Sequence, residues 1–311
     1  MRHRDMRSHG TPGHRHAARR LALAALFFAA SASAHAACPS DAWSREAMLA
    51  WKAESDTGLE AGRRDALVST LTDCLASTDP ALRDDLGYEG LQAVLRAGAL
   101  PPEALRALRD RLQRMLDAPD PQGVARPFAA LVLSEVARTD RIKPWMLADE
   151  RAAMVERAAA YLSSVDDYRG FEKTVGWRHS VAHGADWAMQ LAMNPKLERA
   201  ELDRLRSAVA QQAVPASGHA YVFGESERLA RPLLFVARRN LHDEADWTAW
   251  FATLSKTLDD PARAWKDEAW LAKRHDLAAF LRVLYLEADR SEDAGIAAMR
   301  PGILAALKAL P

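Results

Sequence analysis

Two histidines and one aspartate recur at helical spacing within residues 170–194, GFEKTVGWRHSVAHGADWAMQLAMN. On an α-helix, His179, His183, Asp186 and Gln190 fall within about 60° of one another, and we call these four residues the polar seam. No lysine or glutamate joins the seam, whereas a solvent-facing stripe would be wider and more charged. The spacing therefore predicts a mostly buried helix whose seam is either a functional site or an internal hydrogen-bond network.

The histidine spacing is compatible with a metal site. Two imidazoles four residues apart can share a divalent metal ion, and Asp186 can supply an oxygen ligand. The zincin pattern needs a glutamate directly after the first histidine, and Ser180 stands there instead. A hydrolytic site would then take its general base from elsewhere, and Glu225 is the candidate. The alternatives are a metal-free ligand site and a structural network in which each imidazole donates to a carboxylate or carbonyl.

Further polar and aromatic residues stand close to the seam in sequence or on the segment around Glu225. The candidate ligand-binding residues among them are Arg169, Trp177, His219, Glu227 and Arg228. Arg169 could form paired hydrogen bonds with the carboxylate of Asp186 or Glu225. Trp177 is expected to pack in the core more readily than to form a ligand platform. Arg228 could instead pair with Glu225 one helical turn away, which contributes only a few tenths of a kcal/mol when exposed.

The N-terminus has the composition of a secretory signal peptide. A basic stretch (residues 1–20) precedes the apolar run LALAALFFAA (residues 21–30), and small residues follow. Ala34 and Ala36 fit the A-x-A cleavage rule, which predicts that residues 1–36 are removed on export. The apolar run is short for a membrane span, which needs about 20 residues. We therefore expect an exported, periplasmic protein whose mature chain has no transmembrane segment.

The chain has two cysteines, Cys38 and Cys74. In an exported protein such a pair most often forms a disulfide, which here would tie the mature N-terminus to the first helical layer. Lipid anchoring through Cys38 is the alternative. It is disfavoured because a lipobox has a branched apolar residue three positions before the cysteine, and His35 stands there.

The charge balance of the mature chain argues against a nucleic-acid partner. Residues 1–36 hold six arginines and one aspartate, so their removal leaves 36 basic and 41 acidic residues and a net charge near −5. Binding to nucleic acid would require a basic face. Five of the ten histidines also leave with this segment, so the seam carries two of the five that remain.

Nearly every segment after residue 40 has the apolar periodicity of an amphipathic helix. About a dozen short-linked helices predict an all-α fold of stacked antiparallel helical hairpins, an α–α superhelix or HEAT-like array with degenerate repeats. Residues 215–224 are expected to form a loop with some β character, and Pro232 is expected to bend or restart its helix. The break DAPDPQG (residues 117–123) separates an N-terminal helical part (37–120) from a C-terminal helical domain (121–311).

Short motifs recur through the region of the seam. They are YRG (168–170), GW (176–177), His179, HGAD (183–186) and ExERL (225–229). Together they resemble the bacterial domain of unknown function 2785 family, over about residues 124–286. Arg178 stands where such families carry alanine, a small departure beside the seam. The resemblance implies an all-helical fold and no established activity.

These observations favour an exported, all-helical protein that binds a ligand or partner at a concave surface around His179, His183 and Asp186. An unknown small molecule, a peptide or an envelope protein is the expected partner. The alternative is a metal-dependent hydrolase that uses the same seam with a divalent metal ion as cofactor and Glu225 as general base. The sequence leaves open whether the protein is an enzyme.

Overall fold

The computed structural model describes residues 38–54, 58–258 and 261–311, and the predicted signal peptide (residues 1–36) lies outside the described residues. Within these ranges the protein is mostly helical, with a single two-stranded sheet, which confirms the all-α prediction. The described residues form one compact unit around a hydrophobic core. None of the described helices is both long and apolar enough to cross a bilayer.

The N-terminal helices follow the apolar periodicity of the sequence. They are α1 (Arg45–Glu54), α2 (Ala61–Cys74), a π-helix (Ala81–Tyr88), α3 (Glu89–Arg96) and α4 (Pro102–Asp117). Pro102 occupies the first turn of α4, where its missing N–H is not needed. The π-helix is a rare conformation that apolar periodicity does not predict, and such segments occur frequently at functional sites.

The C-terminal helices also correspond to the periodic segments. They are α5 (Ala125–Ile142), α6 (Ala148–Ser164), α7 (Ser180–Ala192), α8 (Arg199–Ala213), α9 (Glu225–Arg238), α10 (Glu244–Ser255), α11 (Glu268–Arg290), α12 (Ala294–Ala297) and α13 (Arg300–Lys308), with 3₁₀ turns at Lys256–Leu258 and Pro261–Arg263. Asp243 and Asp267 cap α10 and α11 by accepting a backbone N–H three residues ahead. Pro232 lies inside α9, which runs through it, so the expected restart at this proline is wrong.

A short hairpin that was not predicted from the sequence precedes α7. Strand β1 (Phe171–Glu172) pairs antiparallel with β2 (Gly176–Trp177). Gly176 has a φ of 75°, a left-handed conformation that glycine adopts at little cost. The loop at residues 215–224, where β character was expected, has no strand although all of it is described. The hairpin brings Phe171 opposite Trp177 at the entrance to α7.

Helix α7 lies at the centre of the C-terminal helices. It packs against α5 and α9 on two sides and against α6 and α8 on others, while α9 packs in turn on α11. Small residues permit this crowding: a Cβ on Gly184 would meet Tyr161 and Leu162 of α6 at 3.0–3.2 Å. A helix enclosed in this way must bury its polar residues, so each of them needs a protein partner.

The predicted disulfide is present and joins Cys38 to Cys74, with their Cα atoms 5.0 Å apart. It links the first described residue to the end of α2. Further along, Arg96 of α3 forms an ion pair with Glu135 of α5 at 2.6 Å. The N-terminal helices are therefore held to the C-terminal ones by this ion pair as well as by the core.

Candidate functional site

His179 occupies an unusual backbone conformation at the start of α7. Its φ of 57° and ψ of 40° place it in the left-handed region, which costs a non-glycine residue on the order of 1–3 kcal/mol. The conformation is held by the hydrogen bond from its N–H to the carbonyl of Arg169 (3.2 Å) and by the bond that its own carbonyl accepts from His183 (3.0 Å). The turn directs the imidazole into a cleft between the hairpin and the start of α9.

The His179 ring is enclosed by an aromatic ring and a carboxylate. It stacks on Trp177, with ring centroids 4.6 Å apart and planes 18° from parallel. Its Nε2 donates to the carbonyl of Phe223 (3.2 Å) and lies 3.6 Å from Oε1 of Glu225. Burial lowers the pKa of His179, and the nearby Glu225 carboxylate only partly opposes this. The neutral imidazole is therefore favoured, with its proton on Nε2.

Glu225 begins α9 and is buried. Its Oε2 accepts a hydrogen bond from the backbone N–H of Phe223 at 2.9 Å. Both side chains thus hydrogen-bond to the backbone of Phe223: His179 donates to its carbonyl, and Glu225 accepts from its N–H. This arrangement fixes the backbone of Phe223 against the start of α7.

His183 is buried one turn further along α7. Its Nδ1 lies 3.1 Å from the carbonyl of Pro127, which can only accept, so Nδ1 carries the proton. The ring meets the edge of Phe128 at a centroid distance of 5.0 Å. Burial lowers the pKa of His183 well below its usual value, and His179 adds to this effect. His183 therefore acts as a neutral donor that joins α7 to the start of α5.

Asp186 forms an ion pair with Arg228 that joins α7 to α9. The guanidinium Nε donates to Oδ1 at 3.0 Å, and Nη2 donates to Oδ2. Burial raises the pKa of Asp186, although Arg228 opposes the shift. Arg228 therefore does not form the intrahelical pair with Glu225, because its guanidinium bonds Asp186 across the α7–α9 contact, while Glu225 accepts from Phe223. Gln190, the last seam residue, accepts from Arg141 at 3.3 Å.

The seam does not assemble the ligands that a metal site requires. Both oxygens of Asp186, the oxygen ligand suggested by the sequence, are bonded to Arg228. Among the described residues, no group of three or more His, Cys, Asp or Glu side chains is arranged to hold a metal ion. The cleft beside His179 and Glu225 encloses about 140 Å³ of space, none of which admits a water-sized molecule.

The side chains of the remaining candidates, Arg169, His219 and Glu227, bind other residues or are exposed. The side chain of Arg169 forms an ion pair with Asp167 at 2.6 Å rather than with Asp186 or Glu225, but its backbone carbonyl anchors His179. His219 lies away from the seam and stacks on Tyr168, with centroids 5.0 Å apart. Glu227 is exposed on α9. Glu225 and Arg228 point inwards while Glu227 does not, because positions 225 and 228 share one face of the helix.

Trp177 is 39% exposed, so the expectation that it packs in the core is wrong. One face of its ring covers His179, and the rest lies at the surface with Phe171 (49% exposed) and Phe223 (39%). Trp177 meets Phe171 and Phe223 edge to face, at centroid distances of 5.2 and 5.9 Å. We call these three residues the aromatic surface. Hairpin pairing produces the exposure, since it turns Phe171 and Trp177 to the same side of the two strands.

Gly170 explains why Phe223 can join the aromatic surface. A Cβ at this position would lie 2.1 Å from Cδ2 of Phe223, so the ring rests directly on the glycine backbone. The YRG motif therefore supplies two backbone features, the carbonyl of Arg169 that holds His179 and the bare Cα of Gly170 that receives Phe223.

Arg83 supports the site from the π-helix and was not predicted. It is completely buried, donates to the carbonyl of Val175 (2.8 Å) in the hairpin turn, and lies 4.6 Å over the ring of Phe128. In sequence it stands in ALRDDLGY, which is typical of a solvent-exposed helical turn. Its role depends on a contact 92 residues away, so local pattern carries no signal for it.

Comparisons with known proteins identify the family of this chain. Neither the curated proteins nor the solved structures include a match to the chain. The family described as Protein of unknown function (DUF2785) matches residues 112–286, more than half of the chain. The match contains α5 to α10 and so every seam residue, Glu225 and the aromatic surface, whereas Arg83 and the disulfide lie before it. The chain therefore belongs to the DUF2785 family, as the motifs around the seam suggest.

Proposed function

We propose that this protein is an exported binding protein that holds apolar side chains of a peptide or envelope-protein partner on the aromatic surface. The observation that carries the proposal is the contiguity of three exposed rings around Trp177. Contiguous exposed apolar side chains commonly mark interaction sites. Tryptophan in particular contributes strongly to binding when a partner covers it.

The buried residues beneath the aromatic surface support binding rather than catalysis. His179 and Glu225 fix the backbone of Phe223, and His179 also carries the Trp177 ring. Rings held in place in this way lose little conformational entropy when a partner covers them. The sequence suggested a concave binding site at the seam itself. We propose instead that the partner binds to the aromatic surface, which covers His179. The metal-dependent hydrolase is the weaker candidate because both oxygens of Asp186 are already bonded to Arg228.

The periplasm is the proposed compartment, after removal of residues 1–36. The Cys38–Cys74 disulfide supports this proposal, because disulfides form and persist in oxidising compartments. It also argues against the lipid anchor, since the Cys38 sulfur that would carry the lipid is bonded to Cys74.

The helices are proposed to form an α–α superhelix of stacked antiparallel hairpins, HEAT-like with degenerate repeats. In support, the alternate helices α5, α7, α9 and α11 pack on one another in chain order, and α6 packs on α8. Stacked hairpins produce this alternation of layers. We propose that the parts on either side of residue 120 fold together, since Glu135 of α5 pairs with Arg96 of α3.

Peptide selection on the purified protein tests the binding proposal. Peptides would be selected from a random display library, and their affinities measured by fluorescence polarisation on the wild type and on Trp177→Ser/Phe223→Ser. We expect selected peptides rich in apolar and aromatic residues, and about a tenfold or greater loss of affinity on the double variant. Trp265→Ser is the matched control, because Trp265 is 65% exposed and outside the aromatic surface. Equal binding to wild type and double variant would contradict the proposal.

A further inference from the structure

A second concave region lies at the other end of α5. A cavity of about 600 Å³ opens between the α3–α4 turn and the α5–α6 turn, with Leu100 and Leu105 on one side and Thr139 and Trp145 on the other. Phe128, which contacts His183, stands about 16 Å from Thr139 along the helix axis. The cavity is therefore separate from the seam and from the aromatic surface.

The charged residues that line this cavity are all basic. They are Arg64, Arg96, Arg138 and Lys143, and no acidic side chain joins them. Arg64 pairs with Asp65 and Arg96 with Glu135, but the side chains of Arg138 and Lys143 form no hydrogen bond or ion pair within the described part of the chain. We call these four residues and the cavity they surround the basic groove.

The electrostatics of Arg141, which lies beside the cavity and not in its lining, show the positive field of Arg138, which Glu135 opposes only in part. Arg141, on the same turn of α5, has a buried Nε without a hydrogen-bond partner among the described residues. Its pKa is lowered by burial and further by Arg138. The C-terminus of a helix does attract cations. That effect explains basic residues on α5 and also applies to Arg96 in the last turn of α3, which pairs with Glu135, but it does not explain why Arg64 of α2 lines the same cavity.

The walls of the groove are apolar. Leu95, Leu100 and Leu105 are buried, Trp145 is half-buried, and Ile142 stands 61% exposed at the rim. An exposed isoleucine beside two unpaired cations offers a ligand an apolar contact and an ionic contact at once. A ligand that satisfies both must be amphiphilic and negatively charged.

We propose that the basic groove binds a small single-chain amphiphile with an anionic head group, either carboxylate or phosphate. The head group pairs with Arg138 and Lys143, and the apolar chain lies along Leu100, Leu105 and Ile142. A volume of about 600 Å³ is within the range of small-molecule sites. Charge complementarity selects the head group, because bonds to charged groups are roughly twice as strong as neutral ones.

Isothermal titration of the purified protein tests the proposal with four probes below their micelle concentrations. Dodecanoate and dodecyl phosphate carry both features, dodecyltrimethylammonium carries the same chain with the opposite charge, and inorganic phosphate carries the charge alone. We expect binding of at least one anionic amphiphile, with the tighter of the two identifying the head group. We expect the other two probes to bind at least about tenfold more weakly. Equal binding of the cationic amphiphile, or of inorganic phosphate, would overturn the proposal.

Variants locate the binding to the groove. Arg138→Glu/Lys143→Glu should lower the affinity for the anionic amphiphile by about tenfold or more. Ile142→Ser, which leaves the charges intact, should lower it about threefold. The matched control is Arg282→Glu/Lys308→Glu, an exposed arginine and lysine on α11 and α13. Unchanged binding in the groove variant, or an equal loss in the control, would overturn the assignment. Circular dichroism on each variant confirms that it is folded.

Discussion

The polar seam and the basic groove both gather polar side chains against α5, but they differ in how those side chains are paired. In the seam, His179, His183 and Asp186 are buried, and each has a protein partner within hydrogen-bond distance. In the groove, Arg138 and Lys143 border open space, and their side chains have no hydrogen-bond or ion-pair partner among the described residues.

The difference teaches how to separate a structural network from a binding site. A buried polar group without a partner costs about 1–3 kcal/mol, so a helix enclosed on all sides retains only groups that its neighbours satisfy. An exposed cation is satisfied by water and stays available to a ligand. The residues with the most conspicuous spacing in the sequence therefore hold the fold together, while less conspicuous ones face open space.

The largest effect should come from breaking the seam. Arg228→Ala leaves the Asp186 carboxylate buried without its partner, and we expect a loss of about 2–3 kcal/mol in the free energy of unfolding. Urea denaturation followed by circular dichroism measures it. Arg204→Ala is the control, because Arg204 pairs with Glu156 at the surface and such pairs contribute less than about 1 kcal/mol. Equal losses in the two variants would show that the seam is not a structural network.

A smaller effect, which depends on pH, should come from the buried carboxyl group of Asp276 on α11. Like the side chains of Arg138 and Lys143 in the groove, it has a polar atom without a protein partner among the described residues. Its Oδ1 accepts from the N–H of Tyr221 (2.9 Å), but Oδ2 has no partner among the described residues. Burial raises the pKa of Asp276 to about 7, with Glu225 adding to the shift. The folded state therefore holds a proton that the unfolded state releases near pH 4, so this contribution to stability falls between about pH 4 and pH 7.

Asp276→Asn should remove this dependence. We expect the variant to be more stable than wild type by about 1–2 kcal/mol at pH 8 and to lose that advantage at pH 4.5. Urea denaturation at the two pH values provides the measurement. Asp289→Asn, at an exposed position of the same helix, should show no such difference. A constant gap between Asp276→Asn and wild type at both pH values would refute the assigned protonation.

The smallest effect should come from the groove itself. Arg138→Glu/Lys143→Glu should change the free energy of unfolding by less than about 0.5 kcal/mol, since neither side chain has a partner to lose. Thermal denaturation at low and high salt tests this expectation. A loss comparable to that of Arg228→Ala would mean that the groove, like the seam, stabilises the fold.

Local pattern was sufficient for the helices and for the burial of the seam. Apolar periodicity indicated helices in nearly every segment after residue 40, and the described residues form them. The absence of lysine and glutamate from one face of residues 179–190 indicated burial. It did not identify the partner of Asp186: the sequence suggested Arg169 for this carboxylate and Glu225 for Arg228, whereas the packing of α9 on α7 pairs Asp186 with Arg228.

The sequence by itself determined that this protein is helical, that one helix buries a polar seam, and that Cys38 and Cys74 can pair. These properties depend on residues a few positions apart, or on composition. The tertiary structure decided the exposure of Trp177, the left-handed turn at His179, the burial of Arg83 and the convergence of four cations on the basic groove. Each of these depends on contacts between elements distant in the chain, and periodicity within one element carries no information about its neighbours.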